Sequence, residues 1–183
     1  MKPIKIIECP RDAMQGIKPF IPTERKVFYL QSLLRVGFDT IDFGSFVSPK
    51  AIPQMQDTAK VLEQLDLSQT TSKLLAIIAN TKGAELAAVH KEIQYLGFPY
   101  SISENFQMRT THNAIAESLV TLSEILEIAD KSNKEVVAYL SMGFGNPYGD
   151  IEGTVSQPHS GSGLHSKYLS HVFCYQHLVW SNF

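Results

Sequence analysis

An arginine and an aspartate stand side by side at Arg11 and Asp12, directly after an apolar run over residues 4–9. Such a run is typical of a buried strand, and Pro10 would end it. A carboxylate at this place could hold a hard divalent cation, and the neighbouring guanidinium could stabilise negative charge that develops on a substrate oxygen. The two side chains could equally form a surface ion pair in a loop, and their spacing alone does not separate the two interpretations.

Polar side chains also follow the other apolar runs of the first 150 residues. In parallel β/α folds, the residues just past the C-terminal ends of the strands meet at one edge of the sheet, where the loops converge. The candidate site residues at such positions are Arg11, Asp12 and Gln15 after the first run, Asp42 and Ser45 at the second, Asn80 after the third and Ser141 after the fifth. We therefore expect these residues to belong to one site.

The elements that would position these residues alternate between strands and helices. Strands are predicted over residues 4–9, 40–43, 73–79, 93–98 and 135–140, because each run is short and apolar. Helices are predicted from Thr23 to just before Gly37 and over residues 54–65, 83–90 and 114–130, where apolar residues recur at helical spacing. This alternation is the pattern of an α/β fold with a parallel sheet and crossover helices.

Composition excludes several classes of protein. The chain has 183 residues, of which 44% are hydrophobic, and this predicts one compact domain rather than a disordered chain. Sixteen basic and eighteen acidic residues give a net charge of −2, so we expect no binding to nucleic acid or membranes through bulk positive charge. Two cysteines are too few for a disulfide framework, and no apolar run has the length of a signal peptide or a membrane span. These features predict a cytoplasmic protein.

The character of the sequence changes after Asp150. Residues 151–183 contain one lysine, one glutamate, six serines and four of the six histidines, and only a weak apolar period over residues 168–180. We therefore predict two units. Residues 1–150 carry the β/α alternation, and residues 151–183 form an unrelated, irregular His/Ser-rich tail that is poorly ordered.

Five segments of the first 150 residues resemble motifs of the 3-hydroxy-3-methylglutaryl-CoA lyases, a family of the DRE-TIM metallolyases. In chain order they are E-C-P-R-D-A-M-Q at 8–15, S-F-V-S-P-K with P-Q-M over 45–55, N-T-K-G at 80–83, S-E-N-F at 103–106 and Y-L-S-M-G-F-G-N-P-Y at 139–148. Each segment lies at a predicted strand end. The resemblance covers residues 4–149, about four-fifths of the chain.

The resemblance implies a (β/α)8 TIM barrel, of which residues 1–150 would form the N-terminal part with about five parallel strands. It implies retro-Claisen cleavage of a 3-hydroxyacyl-CoA thioester to a keto acid and acetyl-CoA, with Mg2+ or Mn2+ as the cofactor. By motif, Arg11 and Asp42 would be catalytic, Asp12 would bind the metal, and Gln15, Ser45, Asn80 and Ser141 would bind the substrate.

The sequence also departs from the family pattern. Asp42 stands where the lyases have Glu, and Thr110 stands where they have Asn. The family's H-x-H metal ligands and its G-x-x-G-C-P-Y loop with the catalytic Cys do not occur in this sequence. A barrel of eight strands also needs about 250 residues. The resemblance therefore implies a truncated lyase with little or no activity as this chain.

Two other functions fit the same observations. The partial barrel could be a non-catalytic binding or assembly module that closes its sheet against a second copy or another chain. It could also be a sister metallolyase or aldolase with a different acyl substrate. An acyl-CoA partner is expected for the lyases, and a homo-oligomer is possible for any of the three.

Overall fold

The computed structural model describes residues 4–142 and the backbone of residues 169–174. The strands in these ranges are β1 (Ile7–Glu8), β2 (Thr40–Ser45), β3 (Lys73–Ile77), β4 (Ile93–Ser101), β5 (Glu135–Ser141) and β6 (Leu169–Cys174). The helices are α1 (Pro10–Gln15), α2 (Thr23–Leu34), α3 (Thr58–Glu63), α4 (Thr81–Ala88), α5 (Glu104–Thr111) and α6 (Ile115–Lys131), and a 3-10 helix covers Pro53–Met55.

The six strands form one sheet in the order β1-β2-β3-β4-β5-β6, and every neighbouring pair is parallel. Parallel neighbours need a crossover connection, and helices supply it between β1 and β5. The expected α/β class and the expected set of five parallel strands are confirmed. Parallel strands in chain order, joined by helices, are the arrangement of part of a (β/α)8 barrel.

Burial on both faces of the sheet explains the unbroken apolar run over residues 74–79 in and after β3. In β3, Leu74 and Ala76 pack into the cluster that the helices cover, whereas Leu75 and Ile77 belong to a second cluster with Tyr95 on the opposite face. Successive residues of a strand point to opposite faces, so a strand that is covered on both sides contains an unbroken apolar run. The helices α2, α4 and α6 supply the larger cluster through Leu30, Leu34, Ala84, Ala87, Leu122, Ile125 and Ala129.

Several elements differ from the expectation in extent. The first strand was expected over residues 4–9 but pairs only over Ile7–Glu8. The helix expected over residues 54–65 is divided into the 3-10 helix and α3, with Gln56 and Asp57 between them. The apolar periods did not predict α1 and α5, because α1 has six residues and α5 buries only Gln107.

The sixth strand lies within the residues that were expected to form an irregular tail. Leu169–Cys174 pairs in parallel with β5, so this part of the tail extends the same sheet. The other residues beyond Met142, including the predicted boundary at Asp150 and the end of the segment 139–148, lie outside the described residues. The division into two units stays a prediction. In the described ranges, no helix has the length and apolar character needed to cross a membrane.

Gly44 in β2 makes a close approach that no other residue type allows without adjustment. A Cβ atom at this position would lie 2.5 Å from Thr58 Cγ2 and 3.0 Å from Thr58 Oγ1. Thr58 cannot turn away easily, because its hydroxyl accepts from Ser45 N and donates to Met55 O.

We therefore expect Gly44→Ala to lower the free energy of unfolding by about 1–3 kcal/mol, the usual cost of overpacking. Thr58→Ser removes the colliding methyl group and keeps the hydroxyl, so the double variant should recover most of the loss. Urea unfolding of both single variants and the double variant measures this. A double variant no more stable than Gly44→Ala would contradict the steric explanation.

Candidate active site

Arg11 and Asp42 form a buried ion pair between α1 and β2. Arg11 Nη2 donates to Asp42 Oδ2 at 2.5 Å, and Arg11 Nε lies 3.2 Å from each carboxylate oxygen. Asp42 is completely buried, and Arg11 is 9% exposed. The planar guanidinium fits the two oxygens of a carboxylate, so such a pair fixes orientation as well as charge. Asp42 therefore holds Arg11 in one orientation at the end of β1.

Asp12 and Gln15 bind the remaining edge of the guanidinium. Arg11 Nη1 donates to Asp12 Oδ1 at 2.9 Å and to Gln15 Oε1 at 3.0 Å, and Gln15 Nε2 donates to Asp12 Oδ1 at 3.0 Å. The helix α1 makes this arrangement possible, because side chains four residues apart lie on the same face. Pro10 at the first position of α1 favours the start of the helix. Arg11, Asp12 and Gln15, the candidates that follow the first predicted strand, are thus in mutual contact.

The charge of Arg11 is secured by its surroundings. Burial acts to lower the pKa of Arg11, but the charge and the hydrogen bonds of Asp42 outweigh it, so the pKa is raised above its usual value. Complete burial raises the pKa of Asp42 to about 6, although Arg11 opposes this rise. At neutral pH both groups are therefore charged, and Arg11 offers a permanent positive charge and no transferable proton.

Cys9 lies beside this ion pair at the N-cap of α1. Burial, and next the negative charge of Asp42, raise the pKa of the Cys9 thiol to about 11. A nucleophilic cysteine needs a depressed pKa, because the thiolate is the reactive form. Cys9 is therefore a neutral wall residue and not a nucleophile.

A cavity of about 320 Å3 opens against Arg11, Asp12 and Gln15, and Ser141 at the end of β5 also lines it. The rest of its wall is mainly apolar or aromatic, with Val47, Ala51, Ile52, Ile77, Ala79, Pro99, Tyr100, Phe106 and Tyr139. Small-molecule sites usually have volumes of about 300–1,000 Å3 and combine apolar walls with a few polar groups. The cavity could thus hold polar substrate oxygens near Arg11 and a carbon skeleton against the remaining wall.

Ser45 and Asn80 lie away from this cavity. Both line a neighbouring space of about 510 Å3 between the segment after β2 and α4. Ser45 Oγ donates to Ile77 O at 3.3 Å and accepts from Val47 N at 3.2 Å. Asn80 Oδ1 accepts from Gly83 N at 2.9 Å and so caps α4. In this structure the side chains of Ser45 and Asn80 form hydrogen bonds with the backbone. The candidates that share one cavity are Arg11, Asp12, Gln15 and Ser141.

The motifs did not assign a site role to several residues that the cavity contacts on α5 and β5. Phe106, Gln107, Thr110 and Thr111 line it from α5, and Tyr139 lines it from β5. Thr110 donates its hydroxyl hydrogen to Phe106 O within the same helix. Ser103 followed by Glu104 was the available signal for α5, because a serine N-cap before an acidic first turn favours a helix start.

The described residues do not fit a complete metal site. Among them, no group of three or more His, Cys, Asp or Glu side chains lies close enough to hold an ion. Asp12 faces the cavity, and its Oδ1 already accepts from Arg11 and Gln15. A hard divalent ion needs several oxygen ligands, so Asp12 could supply only one of them.

No protein-family model matches the chain. The hydroxymethylglutaryl-CoA lyase of Gallus gallus, named as mitochondrial, is 34% identical over 156 residues, which are 84% of this chain and 50% of the relative. A Pseudomonas aeruginosa protein named 3-hydroxy-3-isohexenylglutaryl-CoA/hydroxymethylglutaryl-CoA lyase is 34% identical over 154 residues, which are 82% of this chain and 50% of the relative.

Solved structures agree with these relatives. The HMG-CoA lyase of Bacillus subtilis superposes with a TM-score of 0.75 at 33% identity, over 81% of this chain and 49% of that one. An HMG-CoA lyase of Acinetobacter baumannii, solved in complex with coenzyme A and 3-methylmalate, superposes with a TM-score of 0.72 at 29% identity, over 79% and 47% of the two chains. The chain thus spans about half the length of the relatives that it matches.

Proposed function

This chain is a homologue of the hydroxymethylglutaryl-CoA lyases over about half of their length, and from this premise we propose that it supplies the oxygen-binding half of a carbon–carbon lyase site for an acyl-CoA thioester. The observation that supports the proposal most directly is the Arg11 guanidinium, held by Asp42, Asp12 and Gln15 at the wall of the cavity.

The proposed reaction is the retro-Claisen cleavage of a 3-hydroxyacyl thioester. The hydroxyl proton passes to a base, the bond between C2 and C3 breaks, and its electron pair forms the enolate of the departing acetyl thioester. C3 becomes the carbonyl carbon of a keto acid, and a proton then converts the enolate to the acetyl thioester. Negative charge lies first on the oxygen of the deprotonated 3-hydroxyl and then on the oxygen of the enolate. A fixed cation beside these oxygens therefore lowers the barrier.

Arg11 is the residue that we assign to this charge. Asp42 fixes its orientation from behind, so little reorganisation is needed when the substrate becomes an enolate. The raised pKa of Arg11 assigns it to electrostatic stabilisation and not to proton transfer. We assign Gln15 and Ser141 to substrate oxygens at the same wall, and Ser45 and Asn80 to positioning the segments that carry it.

The proposal includes Mg2+ or Mn2+ as the cofactor, with Asp12 as one ligand. When bound, such an ion would act as a Lewis acid on substrate oxygens. Because Asp12 is the one carboxylate that lines the cavity among the described residues, we expect the 183-residue chain to bind Mn2+ with a dissociation constant no tighter than about 1 mM, comparable with weak protein sites for Ca2+. Titration followed by Mn2+ electron paramagnetic resonance measures this, with Asp12→Asn as the control. Micromolar binding that Asp12→Asn abolishes would contradict it.

A hybrid protein tests the proposed function. It joins residues 1–142 of this chain to the part of the Bacillus subtilis lyase that the chain does not match. We expect the hybrid to cleave 3-hydroxy-3-methylglutaryl-CoA or a close analogue, and the 183-residue chain alone to have little or no activity. The unaltered Bacillus subtilis lyase, assayed beside the hybrid, is the control. A folded hybrid that is inactive on every acyl-CoA tested, beside an active control, would refute the proposal.

One structural observation favours a second candidate function, an assembly module. In the described part of the sheet, β1 and β6 each pair with one strand, so both outer edges are open to a further strand. An exposed strand edge is a template for pairing with another chain. A monodisperse dimer in sedimentation would support this candidate, and a monomer or aggregate would count against it.

The substrate and the location remain parts of the proposal. The name of the Pseudomonas aeruginosa relative includes a thioester with a larger branch than methyl, so a sister lyase with another acyl group is compatible with the family. Profiling the hybrid against acyl-CoA thioesters that differ at C3 separates the two. We propose a cytoplasmic location and no nucleic acid or membrane partner, on the basis of the charge and composition described above.

A further inference from the structure

The side chain of Gln54 binds three backbone groups of the segment between α1 and α2. Residues 16–22 form neither helix nor strand. Gln54 Nε2 donates to Ile17 O at 2.8 Å and to Pro19 O at 3.0 Å, and Gln54 Oε1 accepts from Ile21 N at 2.8 Å. Gln54 is 3% exposed. Its amide therefore satisfies three backbone groups of a segment that belongs to no helix or strand.

A buried ion pair in turn holds Gln54. Lys26 Nζ donates to the backbone carbonyl of Gln54 and to Asp57 Oδ1, the latter at 2.6 Å. Thr23 Oγ1 donates to Asp57 Oδ2 at 2.7 Å, and the Phe20 ring lies 4.1 Å from Lys26 Nζ. The cluster of Lys26, Gln54 and Asp57 thus joins α2, the 3-10 helix and the segment after α1.

The helix α1 needs such support, because it has six residues and isolated helices shorter than about 12–15 residues are marginal in water. It ends at Gln15, and Ile17 N donates to Met14 O to continue its last turn. Gln54 binds the carbonyl of that same Ile17. We propose that Gln54 is a positioning residue for α1, and that Lys26 and Asp57 hold it in place so that Arg11, Asp12 and Gln15 keep their orientation.

Hydrogen exchange on the full chain tests this inference. Gln54→Met keeps the length of the side chain and removes its hydrogen bonds. We expect exchange of the amides of residues 11–17 to become at least about tenfold faster, with the amides of β3 and β4 much less affected, because local opening is confined to the unit that loses its support. Gln54→Glu keeps one acceptor for Ile21 N and should give an intermediate change.

Lys134→Met is the matched control. The buried Lys134 Nζ also donates to two carbonyls, those of His90 and Ile93, at 2.7 and 2.8 Å, but before β5 and away from α1. The Lys134→Met variant should not accelerate amide exchange in residues 11–17 more than in the rest of the chain. The inference would be overturned if Gln54→Met accelerated exchange equally along the whole chain or did not accelerate it at all. It would also be overturned if Lys134→Met accelerated exchange in α1 as much as Gln54→Met does. The chemical importance of α1 rests on the proposed function, but exchange reports on α1 itself, so either idea can fail without the other.

Discussion

At pH 7, Arg11→Met is expected to lower the free energy of unfolding by about 3–5 kcal/mol, because it leaves a completely buried carboxylate without its partner. A domain of this size typically has about 5–15 kcal/mol of stability, so the variant should fold and the loss should be measurable. Urea unfolding followed by far-ultraviolet circular dichroism gives the value.

The loss should depend on pH in a defined direction. Burial raises the pKa of Asp42 to about 6, above the value of about 3.9 in an unfolded chain. The native state therefore binds more protons between these values, and the contribution of Asp42 to stability falls as the pH rises through this window. Without Arg11, which lowers this pKa, the fall continues to higher pH. We expect the loss to be about 1 kcal/mol larger at pH 7 than at pH 5, since one pKa unit corresponds to about 1.4 kcal/mol.

A double variant serves as the control for this explanation. Arg11→Met combined with Asp42→Leu removes the stranded charge together with its partner, and replacement of a whole buried pair by apolar residues is often close to neutral. We expect it to recover most of the lost stability and to remove the extra pH dependence. A loss that is equal at both pH values, or unchanged in the double variant, would show that the stranded carboxylate is not its cause.

The largest effect on activity is expected from Arg11→Lys in the hybrid protein. Lysine keeps the positive charge but cannot bind both oxygens of Asp42, so the charge is no longer held in one orientation. Removal of one preorganised donor beside a developing oxyanion typically costs about 10²–10³ in kcat. We expect a loss in this range in kcat and a smaller change in KM.

The reverse exchange, Lys131→Arg, provides a control at a position away from the cavity, where the lysine side chain is 78% exposed. Steady-state kinetics with one acyl-CoA substrate should give the parent values for this variant. If Arg11→Lys raised KM and left kcat unchanged, Arg11 would bind the ground state and the transition state equally, and the role proposed for it would be wrong.

The strands were predictable because burial on two faces leaves a direct trace in the sequence. The run over residues 74–79 is apolar throughout, since both faces of β3 are covered. The helix α5 leaves no such trace, because it buries only Gln107. The amide of Gln107 binds Ser101 N and Ser118 Oγ, so a polar side chain anchors this helix where an apolar stripe would be expected. For that reason the cavity residues on α5 were not predicted as part of the site.

The site itself was predictable in part. Arg11, Asp12 and Gln15 were grouped by motif, and the structure brings them into contact. Asp42 and Ser45 were grouped by their common strand end, but the pairing of β2 with β3 shifts register between Asp42 and Gly44, and no pattern in the sequence indicates this irregularity. Asp42 contacts Arg11, whereas Ser45 lines the other space. Position along a strand indicates the edge of the sheet, but an irregular pairing decides where each side chain lies.

The order of the strands bears on how the protein is made. Each strand from β2 to β6 pairs with the strand that precedes it in the sequence. A nascent chain emerges from the ribosome at about 5–20 residues per second, so each strand has seconds to join its predecessor before the next one appears. In a closed barrel, only the seam between the first and the last strand must wait for the end of translation. Growth of the sheet can therefore follow synthesis strand by strand, with the edge of β1 exposed the longest.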